Sequence, residues 1–529
     1  MQKKQVFNPF LPLNEYIPDG EPHVFGDRVY HFGSHDKEGG YTFCMLDYVT
    51  YSAPVDDLSD WRYEGVIYKA SQDPQYPKLK YMYAPDVVQG NDGKFYLYYS
   101  MGGDYGVGGY VGPISVAVAD APAGPYEFLG FVRNKDGSPM EKYVCFDPAV
   151  MNDNGTIRLY YGTSYSFEEE PDFPENDKYI KDMMDMFGKT REEIESYHPD
   201  SVMGAIGATL EDDMLTIKEE PKHIIPYRVK GTSFEEHPFF EGPSMRKVND
   251  KYYFIYSSWQ NHELCYAVSD CPDKDFVFGG TVVSNGDVGL NGREEKDKLN
   301  MTGTTHGSII EISGQWYVFY HRLTHRSDYS RQACAEKIRI EADGSIRQAE
   351  ITSCGLNDGA LKAQGTYPAV ICCNLTNGLM PHGSNSVYTV QFPNVSNIGD
   401  DRFIAGIDNE TLIGYKYFDC KDVKTIKIKA RIECEENTPV FDGPERLDER
   451  CGDYEERLKA KAAKECNEKN RFEIMTKENG ESLGTIFLEE GDPILWTEYE
   501  VKADIPDGVN AIYLKYYGSK RAQLKEIGF

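Results

Sequence analysis

The stretch HPFFEGPSMRKVNDKYYFIYSS, residues 237–258, contains the pattern that decides the fold. Its second half, VNDKYYFIYSS, places a polar turn directly before a short aromatic strand. The same combination recurs as FGDRVYHFGSH (25–35), NDGKFYLYYS (91–100), DNGTIRLYYGTS (153–164) and ISGQWYVFYHR (312–322). Gly, Asn and Asp form tight turns, and aromatic side chains favour strands. Five copies of one strand unit predict an all-β fold, a five-bladed β-propeller.

The interval between the third and fourth copies is longer than the other three, because residues 166–200 are inserted there. This segment is charged and has helical periodicity, which predicts a pair of helices on a loop. Thr190, followed three residues later by Glu193, predicts a capping box at the start of a helix. We therefore expect a short helical insertion in a propeller domain that spans residues 1–345.

One ionisable residue stands seven to nine positions upstream of each turn, and the five are Asp19, Asp86, Asp147, Glu241 and His306. Each opens the first apolar strand of its repeat. The innermost strands of a propeller line its central channel, so five equivalent positions would converge near the channel mouth. The alternative is that each residue only forms a turn, since Asp is common before strands. The shared register favours a convergent polar site.

Carboxylates that face each other across a cavity are the groups that glycoside hydrolysis needs. One donates a proton to the leaving oxygen, and the other activates water or attacks the sugar carbon. A third carboxylate nearby raises the pKa of the acid by like-charge repulsion. Glu241 follows Phe239 and Phe240, and apolar surroundings favour the protonated form of a carboxyl group. We therefore predict that Glu241 is the general acid.

The chain resembles glycoside hydrolase family 43 over about residues 8–345, through the acidic motifs YIPDG, CFDPAVMNDNG and FFEGPSM in that order. The resemblance implies a five-bladed propeller and inversion of the anomeric centre. It implies that Asp19 is the catalytic base, that Asp147 orients and modulates the pKa of its neighbours, and that Glu241 is the general acid. Inversion implies that the carboxyl groups of Asp19 and Glu241 lie about 6.5–9.5 Å apart, with room for water.

The first motif departs from the family pattern, which usually reads Asp-Pro. Here Asp19 precedes a glycine, and Glu21-Pro22 follows, so Glu21 is an alternative base. The distance from Asp19 to the turn at Gly26 matches the other repeats and favours Asp19.

The resemblance also implies contacts to substrate and metal. YAPDVV places Tyr83, where the family has Trp, in the sugar pocket, and makes Asp86 a sugar contact or a turn cap. Arg331, in SRQACAEKI, would form a fork onto a sugar hydroxyl or a catalytic carboxylate, or else a surface salt bridge. His306 would help hold a calcium ion or an ordered water, with oxygen atoms as the other ligands. The alternative for His306 is a core histidine with satisfied hydrogen bonds.

The composition excludes several classes of partner. The chain has 529 residues, with 86 acidic against 56 basic side chains and a net charge of −30, which argues against nucleic acid and anionic membranes. The first twenty residues hold no apolar segment of a secretory signal, and there is no apolar run of about 18 residues that would cross a membrane. The twelve cysteines form no CxxC pair and fit buried free thiols better than zinc ligands. We expect a cytoplasmic protein.

The C-terminal part begins with a polar, glycine-containing linker, residues 346–365. About eight short strand patterns follow in residues 366–529, and the period-2 alternation of KTIKIKARI indicates a sheet with one solvated face. These patterns predict a β-sandwich with a charged helical insert at 441–470. GYKYFD and the C-terminal NAIYLKYYGSKRAQLKEIGF resemble a family 6 carbohydrate-binding module. This domain either binds sugar or packs against the propeller, and the sequence favours packing.

The resemblance favours an inverting exo-glycosidase that removes α-L-arabinofuranosyl or β-D-xylosyl units from plant-derived hemicellulose oligosaccharides. Calcium is the only cofactor that it implies, and homo-oligomers are left open. The alternatives are another specificity of the same family on galactan, galactofuranosides or arabinan, and a non-catalytic sugar-binding propeller. Retaining fructosyl transfer is a further alternative, which requires carboxyl groups about 5–5.5 Å apart.

Overall fold

The computed structural model describes most of the chain, namely residues 4–103, 112–141, 143–164, 180–181, 184, 190–195, 203–383, 387–388, 392–440, 452–464, 466–489, 491–492 and 494–529. Regular secondary structure in the described residues consists mainly of strands, with a few short helices, so the expected all-β class is confirmed. Among these residues, no helix has the length and apolar character needed to cross a membrane.

Five antiparallel sheets follow one another along the described part of residues 21–338. The first is β1 (Glu21–Phe25), β2 (Arg28–Phe32), β3 (Tyr48–Pro54) and β4 (Arg62–Tyr68). The second is β5 (Tyr81–Gln89), β6 (Phe95–Gly102), β7 (Ser115–Ala119) and β8 (Glu127–Phe131). The third is β9 (Ala149–Asp153), β10 (Thr156–Tyr161), β11 (Ile206–Leu210) and β12 (Ile217–His223). The fourth is β13 (Phe239–Val248), β14 (Lys251–Ser258), β15 (Glu263–Ser269) and β16 (Val277–Ser284), and the fifth is β17 (Ser308–Ile312), β18 (Gln315–Leu323) and β19 (Arg331–Ile338).

The first strands of the five sheets contact one another in sequence, β1 to β5, β5 to β9, β9 to β13 and β13 to β17, and β17 contacts β1. The ring is thus closed by the two ends of this part of the chain. A parallel bridge joins Gly20 to Gly307, and the Phe10 N–H donates to the carbonyl of Ala333 in β19. The Asn8 side chain donates to the carbonyl of Ala335 over 2.9 Å. The residues at the N-terminus therefore lie along the last strand of the ring.

Each of the five aromatic runs forms the second strand of one sheet, β2, β6, β10, β14 or β18. These runs are unbroken because both faces of the strand are buried. In β14, Tyr253 and Ile255 pack into the core shared with the fifth sheet, whereas Tyr252, Phe254 and Tyr256 pack into the core shared with the third. Successive side chains of a strand point to opposite faces, so a strand between two cores has no polar face.

The insertion at 166–200 lies largely outside the described residues. Its described part includes a short helix, α1 (Arg191–Glu195). The Thr190 N–H donates to the Glu193 carboxylate over 2.8 Å, and the Glu193 N–H donates to the Thr190 hydroxyl over 3.3 Å. The predicted capping box is confirmed.

The described C-terminal part forms two sheets. One contains β20 (Leu361–Lys362), β22 (Asn374–Thr376), β25 (Leu412–Cys420), β27 (Arg471–Met475), β28 (Gly484–Phe487) and β30 (Gly508–Tyr517). The other contains β21 (Thr366–Pro368), β23 (Asn394–Ile398), β24 (Asp401–Ile407), β26 (Thr425–Ile432), β29 (Thr497–Lys502) and β31 (Ala522–Gly528). One core is built from both sheets, with Phe472 and Leu514 from the first and Ile428 and Leu524 from the second. The alternation predicted for KTIKIKARI holds in β26.

Two details of this region differ from the sequence prediction. The hairpin of β23 and β24 was missed, because its polar first strand NVSNI has no alternating pattern. The run SVYTVQF was predicted as a strand and lies only partly within the described residues, where Val387 forms an isolated bridge to Ser327. The charged helical insert is confirmed in its described part as α2 (Gly452–Ala462).

The predicted linker, residues 346–365, connects the two parts and contains both buried and exposed residues. Ile346, Ile351, Leu356 and Leu361 are all buried. The Ile351 N–H donates to the Asp287 carboxylate over 2.9 Å. The prediction relied on its polar and glycine residues and overlooked one apolar residue every five positions, which anchors the segment.

Ion pairs fasten the C-terminal sheets to the ring. Arg402 forms a fork onto Glu38 with distances of 2.8 and 2.7 Å. The Lys416 ammonium lies 3.0 Å from both Asp287 and Glu350, and Lys416 is 2% exposed. Buried pairs of this kind hold a fixed geometry, since separating them would leave charges unpaired in the interior.

Candidate active site

The acidic residues at one end of the ring lie at or next to backbone positions with left-handed conformation. Asp19 and Asp147 lie two residues before β1 and β9 and have φ of 59° and 48°. Glu241 lies within β13, at a shift of register, and the next residue, Gly242, has φ of 66°. Non-glycine residues adopt positive φ at a cost, and such strain is typical of functional sites.

Asp19 is a buried carboxylate held by cations and a histidine. The Arg331 guanidinium donates to it over 2.8 Å, and His321 Nδ1 lies 3.3 Å from the same carboxyl oxygen. The Asp19 backbone N–H donates to His321 Nδ1 over 3.2 Å. Burial alone would raise the pKa of Asp19, but its neighbours, above all the Arg331 guanidinium, outweigh burial and hold this pKa well below its usual range. Asp19 is therefore an anion at any neutral pH.

Arg331 is buried, at 5% exposure, so the alternative of a surface salt bridge is wrong. Its Nε donates to Asp36 over 2.8 Å and its Nη2 to the other oxygen of Asp36 over 3.1 Å. The planar guanidinium is thus fixed on one carboxylate while it holds Asp19 with its remaining nitrogen. The guanidinium also lies 4.6 Å from the ring centre of Phe43. Of the two forks that the sequence left open, the structure has the one onto a carboxylate.

Asp147 and His306 meet Asp19 at the same end of the ring. His306 Nδ1 lies 3.9 Å from the Asp19 carboxylate and 3.8 Å from the Asp147 carboxylate. Burial lowers the pKa of His306 to about 4, so this ring is neutral at pH 7. Burial, Glu241 and Asp19 together raise the pKa of Asp147 well above its usual range. Asp147 therefore shares protons with its acidic neighbours.

Glu241 has the opposite electrostatic environment from Asp19. It is half-buried, and burial together with the charge of Asp19 raises its pKa to about 8. The preceding Phe240 packs against Trp259, with ring centres 5.0 Å apart, whereas Phe239 points into the core of the sheet. The predicted protonated state is thus supported, although its causes are burial and a neighbouring charge rather than the two Phe rings. A general acid and a general base can be two carboxyl groups whose environments give them different pKa values.

Glu21, the alternative base, belongs to a different cluster. Its carboxylate pairs with Arg246 over 2.5 Å, and its other oxygen lies 4.0 Å from His306 Nε2. His306 thus stands between Asp19 and Asp147 on one side and Glu21 on the other. Because Arg246 holds Glu21 away from the Arg331 cluster, the geometry favours Asp19 as the base.

Asp86 is fully buried and its two oxygens already have protein partners. One accepts from His23 Nε2 over 2.6 Å, and the other accepts from the Val150 N–H of β9 over 2.7 Å. This geometry links the second and third sheets. It corresponds to the structural alternative, and the substrate contact that we had predicted for Asp86 is not supported.

Tyr83 lies half-buried in β5, where the strand register shifts before Asp86. Its ring centre is 5.4 Å from that of Phe146, which directly precedes Asp147. The Tyr48 hydroxyl donates to the Tyr83 carbonyl over 2.9 Å. Tyr83 is therefore placed beside the acidic residues, as a pocket wall requires.

The glycine after Asp19 has a packing reason. A Cβ atom at Gly20 would overlap the ring of His31, which is buried and donates from Nε2 to the Ile17 carbonyl. The departure from the family's Asp-Pro thus accompanies a histidine that fills the space of a side chain.

Sequence reasoning missed two groups, His321 and Asp36. Both lie in the strand patterns that defined the repeats or just after them, in ISGQWYVFYHR and in FGSHD. His321 Nε2 donates to the Thr304 carbonyl over 2.8 Å, which leaves Nδ1 as the acceptor for Asp19. A polar residue at a fully buried strand position was the available signal.

The surroundings of His306 fit the calcium ion or ordered water that the resemblance implies. Neither ring nitrogen has a hydrogen-bond partner among the described residues. Three carboxylates lie 3.8–4.0 Å from these nitrogens, too far for a direct hydrogen bond. Carboxylate oxygens are the ligands that calcium prefers. In a second cluster, Glu21 with His23 and Asp86, the acidic groups already have protein partners, since Arg246 pairs with Glu21 and His23 with Asp86.

The chain is similar to several known proteins. The chain matches the family described as glycosyl hydrolases family 43 over residues 49–346, a range that includes Asp147, Glu241, His306 and Arg331 and begins after Asp19. A xylosidase/arabinosidase of Thermoclostridium stercorarium is 42% identical and aligns over 99% of this chain and 98% of its own length. The xylosidase/arabinosidase 43A of Humicola insolens is 30% identical over 64% of this chain and 97% of its own. A solved family 43 arabinoxylan arabinofuranohydrolase from Bacillus subtilis, in complex with cellotetraose, aligns over 99% of this chain and 97% of its own, with 17% identity and a TM-score of 0.45.

Proposed function

The chain belongs to glycosyl hydrolase family 43, and from this premise we propose that it is an inverting exo-glycosidase. It releases terminal β-D-xylosyl or α-L-arabinofuranosyl units from hemicellulose oligosaccharides. The relative that aligns over almost its full length is named a xylosidase/arabinosidase, which supports both specificities. We further propose that the five sheets are the blades of one β-propeller and that the two C-terminal sheets form a β-sandwich packed against it.

The observation that carries the proposal is the opposite protonation of Asp19 and Glu241. Arg331 keeps Asp19 ionised, and burial with the charge of Asp19 keeps Glu241 protonated up to about pH 8. In an inverting reaction, Glu241 gives its proton to the glycosidic oxygen as the bond to the sugar breaks. Asp19 takes a proton from the water that attacks the opposite face of the sugar. The attack produces a hemiacetal of opposite anomeric configuration and a free alcohol.

Asp147 and His306 support these two groups. Asp147 accepts a hydrogen bond from the Gly242 backbone, and burial together with the nearby Glu241 and Asp19 raises its pKa. His306 is neutral and stands beside both aspartates. If a calcium ion is bound, His306 with Asp19 and Asp147 would hold it, and its charge would favour the ionised carboxylates. Asp147 and His306 thus orient the catalytic groups and the attacking water without themselves taking part in bond formation.

The C-terminal sheets serve to pack against the ring in this proposal. The forks at Arg402 and the buried Lys416 fix their position. All eleven cysteines within the described residues are free, which fits a reducing, cytoplasmic compartment and imported oligosaccharides.

A panel of nitrophenyl glycosides tests the activity, with β-D-xylopyranoside and α-L-arabinofuranoside first. Turnover of either by the protein, and none by Asp19→Asn, is the expected result. The anomer first formed from xylobiose, followed by NMR within the first minutes, tests inversion. A product with retained configuration would replace this mechanism by one with a covalent intermediate. Silence of folded protein on the whole panel would favour a sugar-binding propeller.

A further inference from the structure

Arg322 is a buried cation of the fifth sheet whose charge is not neutralised by any described residue. It lies in β18 and is 5% exposed. Its Nη2 donates to the Cys372 carbonyl over 3.1 Å, whereas Nε and Nη1 have no hydrogen-bond partner within the described part of the chain. An arginine carries five N–H donors and stays protonated, so a single carbonyl satisfies little of it.

Two other buried cations, Arg331 and Lys416, differ from Arg322 in this respect. Arg331 has Asp36 and Asp19, and Lys416 has Asp287 and Glu350. Arg322 is instead surrounded by thiols and a phenol, those of Cys334, Cys372, Cys373 and Tyr320. Burial raises the pKa of Cys334 and Cys372 to about 12, so these groups are neutral and supply no negative charge. An unpaired charge in the interior is costly, and native structures provide a counter-ion for it.

A cavity adjoins this guanidinium at the junction of the ring with the C-terminal sheets. Its lining comes from both parts of the chain and includes Asn300, Arg322, Thr324, Cys372, Leu375 and Val395. Two polar members are already engaged, since Asn300 accepts from the Leu375 N–H and Thr324 donates to Gln332. The space admits about one water-sized particle, which excludes sugars and large oxyanions.

We propose that Arg322 binds a small monovalent anion of the halide class, such as chloride, in this cavity. The anion accepts from Nε and Nη1 and neutralises the guanidinium, and the apolar walls suit a weakly hydrated ion. Because Arg322 belongs to the ring and Cys372 to the C-terminal part, the anion strengthens the contact between them. The site is independent of the carboxylates that carry the proposed activity.

Thermal unfolding of the full chain tests the proposal. At equal ionic strength, the Tm in sodium chloride or bromide should exceed the Tm in sodium gluconate by about 2–4 °C, because a ligand of the folded state raises stability. Arg322→Met should lose this difference. Arg347→Met is the matched control, since Arg347 lies exposed at the surface, and it should keep the difference.

Crystals of the unmodified protein grown in sodium bromide provide a measurement that needs no variant. An anomalous bromide peak within hydrogen-bond distance of Arg322 is the expected result. A water molecule at this position, with no anomalous signal and with equal Tm values in halide and gluconate, would overturn the proposal.

Discussion

Replacing Glu241 by Gln should lower activity and raise stability at alkaline pH in the same protein. Burial and the charge of Asp19 raise the pKa of Glu241 from 4.5 to about 8. In the unfolded chain the same carboxyl group ionises near its ordinary value. Between these two pKa values the folded state binds the extra proton, so stability falls as pH rises through this window. Gln has no proton to lose and removes this dependence.

The size of the stability effect follows from the two pKa values. Each pKa unit corresponds to about 1.4 kcal/mol, so a pKa raised from 4.5 to about 8 corresponds to at most about 4–5 kcal/mol above pH 8. Relaxation around the ionised group reduces this value. Below pH 4.5 the Glu241 carboxyl group is protonated in both the folded and the unfolded state, so Glu241→Gln no longer raises stability. The stability difference between variant and parent should therefore grow from pH 5 to pH 9.

The activity of the same variant depends on the leaving group. General acid catalysis contributes about 10²–10⁴-fold, and this factor should be lost with xylobiose, whose leaving alcohol needs a proton. A dinitrophenyl xyloside has a leaving group that departs as an anion, so its loss should be less than about tenfold. In the parent enzyme, kcat/KM for xylobiose should fall as pH rises through about 8, because the acid is then ionised.

Calorimetric Tm values at pH 5 and pH 9, with kcat/KM on both substrates, form the assay. Glu311→Gln is the control, since Glu311 is exposed on β17 and is not proposed to act as the acid. A Tm difference for Glu241→Gln that is equal at the two pH values would refute the raised pKa. Equal losses of activity on both substrates would remove Glu241 from the role of acid.

Three further predictions concern the neighbours of Glu241. Asp19→Asn should reduce turnover of xylobiose and of dinitrophenyl xyloside alike, by about 10²-fold or more. A residual rate near that of the parent would exclude Asp19 as the base. Arg331→Met should shift the acid limb of the pH profile of kcat/KM upward by about one pH unit or more, because Asp19 loses the cation that keeps it ionised. An unchanged acid limb would contradict this account. Gly242→Ala should lower activity and Tm, because its Cβ would lie 2.9 Å from the His306 ring at a positive φ. Gly26→Ala has a similar φ and open space around the Cβ, so it should lower Tm alone.

The repeat of turn and aromatic strand was sufficient to predict the second strand of every sheet, because those strands are buried on both faces and read as unbroken apolar runs. The register upstream of each turn also placed Asp19, Asp147 and His306 together. It could not distinguish Asp86 from them, because the pairing of Asp86 with His23 depends on side chains from another sheet. The buried contacts of the segment 346–365 could not be predicted for a similar reason, since partners such as Asp287 lie far away in sequence.

His321 and Asp36 illustrate what sequence patterns cannot supply. Asp36 pairs with Arg331 and His321 contacts Asp19, and each of these contacts joins residues about 300 positions apart. The pattern of residues along one strand indicates which face of that strand is buried. It does not indicate which charged side chain from another part of the chain packs against that face. Long-range pairing of this kind becomes visible only once the ring has closed.

The closure of that ring by the first and last strands has a consequence for how the protein is made. Residues near Asn8 and Asp19 emerge from the ribosome early, but their partners Ala335 and Arg331 are synthesised hundreds of residues later. Contacts between residues so far apart in sequence form slowly. Until they form, the edges of the unfinished sheets stay exposed. The beginning of the chain is thus among the last parts to reach its native position during translation. A cut or fusion near residue 8 would then act on the final step of assembly and would demand chaperone protection of the unfinished chain.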